Sequence, residues 1–433
     1  MQKFEKGFFI GAATAAHQVE GNNINSDYWA QEQLPHSSFT EPSGIACDHY
    51  HRYEEDIKLL ADAGLNAYRF SIEWARVEPE EGKFDPEAVE HYRKVIACCK
   101  AHGAEPIVTL LHFTSPKWLI CKGGWEAEST VEDFKNYVVY VMEQLGSELR
   151  YVCTINEANM GLQLATISKR FRLMAEQAAQ NAASAGKSAE GTVQVGMNFQ
   201  KMMENMKFAA MENAQMFGTP QPQIFVSERT PEGDLLVRRA HAAARDAIKA
   251  ICPQVKVGLT LSLHDLQAQP GGEAFAQAAW QEEFTHYLPY IKEDDFLGVQ
   301  NYTRTLYGPQ GQLSASEGAE LTQMEYEFYP QALEHVIRKV AEEFKGDLIV
   351  TENGIATADD ARRVAFIRQA LDGVQHCIAD GIPVKGYFHW SLMDNFEWQK
   401  GYAMQFGLIA VNRETMERTA KPSLAVLGEY CGA

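Results

Sequence analysis

Leu348-Ile-Val-Thr-Glu352 decides how the chain is interpreted, because here an apolar run of strand-forming residues ends abruptly in a carboxylate. Short runs of the same kind recur along the sequence at Phe8–Thr14, Ala67–Ile72, Glu105–Leu111, Tyr151–Asn156, Val255–Leu261, Phe296–Tyr302 and Val384–Trp390. β-Branched and aromatic residues favour strands, and continuous apolar runs are typical of strands buried on both faces. The sequence therefore predicts eight strands of a parallel sheet.

Amphipathic segments separate these runs, and most of them end near a glycine or a proline. They predict helices over Tyr53–Ala63, from Asp85-Pro86 to about His102, and over Glu132–Leu145, Leu235–Ile251 and Ala361–Ala379. Alternating strands and helices indicate an α/β fold, and eight such units favour a closed (β/α)8 TIM barrel. We expect residues 1–433 to form this single domain. An open doubly wound sheet is the rival, but no GxGxxG follows the first run.

The first run has a second interpretation. Lys3 and Lys6 precede the apolar residues 7–16, as in a short signal peptide. We favour Phe8–Thr14 as the first core strand, which then runs out to His17 and Gln18.

Composition limits the classes of partner. The 433 residues carry a formal charge of −19, which disfavours nucleic acid and anionic membrane surfaces. The eight cysteines show no CxxC spacing, which favours reduced thiols in a cytoplasmic protein over disulfides in a secreted one. Oligomeric state stays open, and a homo-oligomer is compatible with the sequence.

Polar and aromatic residues follow the apolar runs, and two carboxylates stand out among them. Glu157 and Glu352 each end a strand, and each is next to an asparagine. Active sites of (β/α)8 barrels lie at the C-terminal ends of the strands. Strands four and seven lie on opposite sides of an eight-stranded barrel, so their side chains are expected to face each other across one pocket. Glycoside hydrolysis requires such a pair of carboxyl groups.

Three motifs carry a resemblance to glycoside hydrolase family 1. Thr154-Ile-Asn-Glu-Ala158 resembles the TLNEP motif of that family, and Val350-Thr-Glu-Asn-Gly354 resembles its ITENG motif. Residues 390–398, WSLMDNFEW, resemble its WSLLDNFEW segment. The resemblance covers roughly 1–158 and 230–430, and it implies a retaining β-glycosidase, foremost a β-glucosidase, on a (β/α)8 barrel.

The resemblance also implies a role for each matching residue. Glu157 corresponds to the acid/base and Glu352 to the nucleophile, while Arg69 and Tyr302 hold and polarise that nucleophile. Asn156 would bind the sugar 2-hydroxyl. The other hydroxyl contacts would be Gln18, His112, Glu397 and Trp398. Trp390 would form an apolar platform beneath the sugar.

Other interpretations of the same residues remain. Arg69 taken alone would be a buried ion-pair partner of Glu73 or another carboxylate, and His112 a core histidine. The His49/His51 pair has an HxH spacing but no further ligand cluster, so no metal is expected, and the motifs give no sign of an organic cofactor.

Three classes of function compete. The first is the β-glucosidase, with galactosides and fucosides as alternative substrates of the same mechanism. The second is a catalytically silent sugar-binding barrel, and the third is a metal-dependent barrel hydrolase. A carboxylate at Glu397 would repel a sugar 6-phosphate, which disfavours phosphorylated glycosides.

The sequence departs from the family in several places. Ala158 replaces the usual proline, which predicts a looser backbone after Glu157, and Gln300 takes an asparagine position. The largest departure is a helical or loop insertion over 160–225 on the catalytic face, which holds a helical pattern of methionines at Met202, Met203, Met206 and Met211. It is either an ordinary helical excursion or a flexible apolar wall for the leaving group.

Overall fold

The computed structural model describes residues 2–169 and 194–432, and these residues form the predicted barrel. Its eight strands, numbered β1–β8 along the chain, are Phe9–Ala13, Ala67–Ser71, Glu105–Leu111, Tyr151–Ile155, Lys256–Ser262, Phe296–Gln300, Asp347–Asn353 and Val384–Trp390. All neighbouring pairs are parallel, and β1 pairs with both β2 and β8 to close the cylinder. The predicted (β/α)8 fold is confirmed, and the doubly wound alternative is wrong. Residues 8–14 supply a barrel strand.

Helices surround the barrel. The long ones are His49–Asp62, Pro86–Ala101, Ser129–Leu145, Phe199–Phe217, Pro231–Ile251, Glu273–Glu283, Ala332–Glu343 and Asp360–Ala379. Residues 160–169 are also helical. Shorter helices are Ala16–Val19, Asp27–Glu32, Trp74–Val77, Lys117–Cys121, Leu288–Ile291 and Pro422–Gly428, with 3-10 turns at Gly124–Glu126, Gly146–Glu148, Thr285–Tyr287 and Trp398–Lys400.

Two small sheets lie outside the barrel. Asp265–Ala268, Arg304–Gly308 and Gly311–Gln312 form one, and Ile409–Val411 pairs with Arg418–Ala420 in the other. No helix within residues 2–169 and 194–432 combines the length and the apolar character that crossing a membrane would require.

Strand interiors and the inner faces of the helices form one continuous core. The barrel strands are buried along almost their whole length. This burial is expected where the barrel interior covers one face of a parallel sheet and helices cover the other. Buried polar residues gather at the C-terminal ends of the strands, where the apolar runs stop. The fold therefore places the polar strand ends of the sequence around one rim.

The insertion is partly described. Its helix Phe199–Phe217 contacts the loop 36–39, where Lys201 Nζ donates to Phe39 O at 2.6 Å and Glu212 pairs with His36 at 2.6 Å. Met203, Met206 and Met211 are each more than half exposed. Residues 170–193 lie outside the described parts, so the leaving-group wall stays a prediction.

Candidate active site

A cavity opens at the C-terminal end of the barrel. Its lining comprises His112, Phe113, Asn156, Glu157, Gln194, Val195, Tyr302, Glu352, Trp390, Glu397 and Trp398. These side chains lie at the ends of β3, β4, β6, β7 and β8 or in the loops that follow them, together with one segment of the insertion. Barrel closure thus brings together residues that are up to 286 positions apart, from His112 to Trp398.

Glu352 lies near the end of β7 with two hydrogen-bond donors on its carboxylate. Arg69 Nη1 donates to Oε1 and Tyr302 Oη donates to Oε2, both at 2.6 Å. Burial raises the pKa of Glu352, while Arg69 and Tyr302 act in the opposite direction. Arg69 is fully buried and bonds to Glu352 rather than to Glu73, so its ion-pair partner is the candidate nucleophile.

Glu157 is the second residue after β4 and has a left-handed backbone with φ of 44°. Its amide N donates to Thr260 Oγ1 at 2.9 Å, and the next amide, Ala158 N, donates to Thr260 O at 3.1 Å. A proline at 158 lacks that second donor. This hydrogen bond restrains the chain at the position of the proline ring, and the looser backbone stays a prediction.

The pKa of Glu157 lies well above its ordinary value. Burial is the largest cause and the nearby charge of Glu352 is the next, while Arg69 and the hydroxyl of Ser262 lower it. Arg69 directs its nitrogens to Glu352 and Asn156, so Glu157 lacks the direct cationic partner that Glu352 has. The two carboxyl groups therefore differ in protonation: Glu352 ionises first, and Glu157 retains its proton to higher pH.

Asn156 is fixed by four side chains, one of which is Thr260, whose Oγ1 donates to Asn156 Oδ1 at 3.3 Å. Its Oδ1 accepts from Arg69 Nη2 at 2.6 Å and from Gln300 Nε2 at 2.8 Å, and its Nδ2 donates to His112 Nε2 at 3.2 Å. One N–H of Asn156 is left for a ligand. Gln300, in the asparagine position of the family, thus orients Asn156.

His112 lines the cavity as a neutral ring. Burial and the charge of Arg69 hold its pKa well below the ordinary value. Because Nε2 accepts from Asn156, Nδ1 carries the proton, and this buried atom has no partner among the described residues. It is a donor available to a hydroxyl group.

Glu397 lines the cavity and contacts the fully buried side chain of Gln18, which is not among the lining residues. Gln18 Nε2 donates to Phe396 O at 2.8 Å and contacts Glu397 Oε2 at 3.4 Å. Burial and the charge of Glu352 raise the pKa of Glu397 to about 8. Trp390 and Trp398 are almost fully buried and present their remaining surface to the cavity.

Gln194 and Val195 line the cavity but are absent from the sequence-based site. They belong to the insertion, and no strand end or motif marks them. No catalytic pattern surrounds them in the sequence, so a signal for them is missing. The proposed roles of the other site residues stay predictions.

His49 pairs with a buried carboxylate. Its Nδ1 bonds to Asp56 Oδ2 at 2.7 Å, and Asp56 is paired with Arg418 at 2.8 Å. Across residues 2–169 and 194–432, three or more His, Cys, Asp or Glu are nowhere grouped to hold an ion.

Two carboxyl groups of unequal pKa in one cavity of a (β/α)8 barrel define a class, the barrel glycoside hydrolases. Within that class, the chain belongs to glycosyl hydrolase family 1, whose model matches residues 1–182 and 283–430. The predicted family is thereby confirmed, and the protein is a glycosidase.

Known proteins agree with this assignment over nearly the full length. The solved structure of β-glycosidase BGL167 is 45% identical and superposes with a TM-score of 0.86, covering 99% of this chain and 96% of its own. A β-glucosidase designated 1317 is 38% identical, with a TM-score of 0.84 and 98% of both chains covered. A β-glucosidase of Agrobacterium sp. is 29% identical over 97% of this chain and 94% of its own.

Proposed function

We propose that the protein is a retaining β-glucosidase with Glu352 as nucleophile and Glu157 as acid/base. The observation that carries the proposal is the asymmetry of the pair: Arg69 and Tyr302 bond directly to Glu352, whereas burial and the charge of Glu352 keep Glu157 protonated. A retaining mechanism needs one ionised and one protonated carboxyl at the start of the cycle.

In the first half-reaction, a Glu352 oxygen bonds to the anomeric carbon while the glycosidic C–O bond breaks. Glu157 gives its proton to the departing oxygen. The resulting ester removes the charge from Glu352, and Glu157, now a carboxylate, accepts a proton from water. That water attacks the anomeric carbon, the ester bond breaks, and both groups return to their starting states.

The sugar-binding groups follow from the free donors and acceptors. The spare N–H of Asn156 suits the 2-hydroxyl, and the Nδ1–H of His112 lies on the same side of the cavity through their shared hydrogen bond. Gln18 and Glu397 suit further hydroxyls, and Gln18 Oε1 is buried without a partner among the described residues. Trp390 supplies the apolar platform, and Trp398 completes the wall.

Glucosides are the substrates we favour, supported by the β-glucosidase names of similar proteins. The described lining contains neither lysine nor arginine to pair with a phosphate, which disfavours a 6-phosphorylated sugar. Galactosides and fucosides stay alternatives, because epimeric hydroxyls meet the same Gln18 and Glu397. The ratio of kcat/KM on matched nitrophenyl glycosides measures this preference.

We also propose a cytoplasmic location and a small β-glycoside as the partner. All eight cysteines lie in described residues and are free thiols, which supports a reducing compartment. The net charge of −19 supports the absence of nucleic-acid and anionic-membrane partners. A homo-oligomer stays open and is measured by light scattering.

Azide rescue tests the mechanism. Glu352→Ala is expected to lose at least about 1,000-fold in kcat on nitrophenyl β-glucoside, because the covalent intermediate no longer forms. Added azide enters the vacated space and attacks the anomeric carbon directly, so activity returns with α-glucosyl azide as product.

Glu157→Ala is the matched control. Its nucleophile is intact, so azide intercepts the glycosyl-enzyme and yields β-glucosyl azide. If Glu352→Ala gave the β-azide and Glu157→Ala the α-azide, the two roles would be reversed. If the wild type bound the sugar without turning it over, the catalytically silent sugar-binding barrel would be favoured.

A further inference from the structure

The segment 194–198, here called the strap, runs along one wall of the cavity. Gln194 and Val195 line the cavity, and residues 194–197 are buried. The strap ends against the loop after β8, where Gly196 O accepts from Gln399 N at 2.9 Å. It lies between the two ranges that match the family model, so its contacts do not follow from the family pattern.

The side-chain amide of Gln194 has a fixed orientation. Its Oε1 accepts from the backbone N of Tyr302 at 2.8 Å, and a backbone N–H is only a donor. Its Nε2 therefore faces the other way, toward His264 Nε2 at 2.9 Å and Ser262 Oγ at 3.3 Å. The amide thus connects the residues that follow β5 and β6.

His264 is oriented by a buried carboxylate. Its Nδ1 bonds to Glu283 Oε1 at 2.9 Å, and its backbone N donates to Glu283 Oε2 at 3.0 Å. Since Nδ1 donates to the carboxylate, Nε2 of the neutral ring is an acceptor, as the Gln194 amide requires. Both His264 and Glu283 are buried, which holds this end of the network in place.

At its other end the network reaches the candidate nucleophile. Tyr302 is pinned through its backbone N by Gln194, and its hydroxyl donates to Glu352 at 2.6 Å. A continuous chain of contacts therefore runs through Glu283, His264, Gln194, Tyr302 and Glu352.

We propose that Gln194 is a positioning residue that sets the place of Tyr302 and, through it, the orientation of Glu352; this rests on the proposed role of Glu352 as nucleophile. Gln194 moves no proton. Without it, Tyr302 N and His264 Nε2 lose their buried partner, and Tyr302 shifts to find another. Attack by Glu352 slows, whereas the sugar contacts of His112 and Asn156 are unchanged.

Covalent trapping isolates the attack step. A 2-deoxy-2-fluoro-β-glucoside with a good leaving group forms the ester quickly and loses it slowly, so its inactivation rate constant reports attack by Glu352. Gln194→Met preserves volume and removes all three side-chain hydrogen bonds, to Tyr302, His264 and Ser262. We expect this rate constant to fall about 10- to 100-fold, with the binding constant of the inhibitor changed by less than about threefold.

Gln163→Met is the matched control. Gln163 and Gln194 are each 6% exposed, and Gln163 Nε2 also contacts Ser262, at its carbonyl O at 2.9 Å, but has no link to Tyr302. Its trapping rate constant is expected to stay within about twofold of the wild-type value. Unfolding temperatures of both variants separate loss of fold from loss of positioning.

If the methionine variant does not fold, Gln194→Asn serves, since it retains the amide but is too short to span Tyr302 and His264. A folded Gln194 variant that is trapped at the wild-type rate would overturn the proposal, as would equal slowing in Gln163→Met. A wild-type enzyme that is not trapped at all would instead overturn the proposed role of Glu352.

Discussion

At the scale of single residues, Glu157 and Glu352 show how one cavity gives two carboxyl groups different chemistry. Both are 3% exposed, so burial alone does not distinguish them. Arg69 is the difference, because its guanidinium bonds to Glu352 and Asn156. Glu157 is left with burial and a neighbouring negative charge, and both raise its pKa.

The raised pKa of Glu157 has a consequence for stability. The folded state keeps a proton that the unfolded state releases above its ordinary pKa of 4.5, so this group destabilises the fold progressively as pH rises toward the folded pKa. Glu157→Gln does not titrate. We expect its stability advantage over the wild type to grow between about pH 5 and pH 7, by at most about 1.4 kcal/mol per pH unit.

Urea unfolding of both proteins at each pH measures that difference, and the titrating groups that do not interact with Glu157 cancel in the subtraction. A difference that stays constant with pH would show that Glu157 titrates alike in the folded and unfolded states.

At the scale of elements, local signals set some boundaries and tertiary contacts set others. The helix predicted from Asp85-Pro86 is observed as Pro86–Ala101, with Asp85 as N-cap. The helix predicted to begin at Tyr53 begins instead at His49, where Asp48 is left-handed and its side chain makes no cap. The buried pair of His49 and Asp56 extends that helix, and neither residue signals a start in the sequence.

The Asp85 cap gives a prediction for the element. Its Oδ1 accepts from the amide N of Glu87 at 2.8 Å and from that of Ala88 at 3.4 Å. Asp85→Ala leaves these donors to water and is expected to cost about 1 kcal/mol in the free energy of unfolding. Asp85→Asn retains a capping oxygen and is the control, expected to stay near the wild type. If both variants lost the same free energy of unfolding, the effect would come from the charge of Asp85 rather than from its capping hydrogen bonds.

At the scale of the whole molecule, closure of the barrel depends on β1 fitting between its two neighbours. Gly11 pairs with Phe388 on β8 and Ala67 on β2. A Cβ at Gly11 would lie 2.4 Å from Ala67 O and 2.7 Å from the Phe388 ring. The first and last strands approach closely here because residue 11 has no side chain.

Gly11→Ala is therefore expected to destabilise the barrel by about 1–3 kcal/mol through overpacking at the closure. Gly103→Ala is the control. Gly103 has a φ of 73° and open space around it, so alanine there is expected to lower the free energy of unfolding by only about 1 kcal/mol, through its unfavourable backbone conformation. Urea denaturation at equilibrium ranks the two. A Gly103 variant less stable than the Gly11 variant would contradict a steric role for Gly11 in closure.

The sequence by itself determined the eight strands, their alternation with helices and the strand ends that carry Glu157 and Glu352. Such features are local: an apolar run, a cap or a motif is complete within about ten residues. Parallel closure then requires the strand ends to share one rim, so most of the candidate site followed from the sequence.

Tertiary structure alone decided which groups touch. The amide of Gln194 meets Tyr302 108 positions away, and Arg69 bonds to Glu352 283 positions away. The pKa values of Glu157 and Glu352 depend on burial and on such contacts. No single segment of the sequence encodes the burial or the contacts. A residue in an insertion carries no periodicity that marks its neighbours, so the role proposed for Gln194 became visible only when the folded chain brought the strap against β5 and β6.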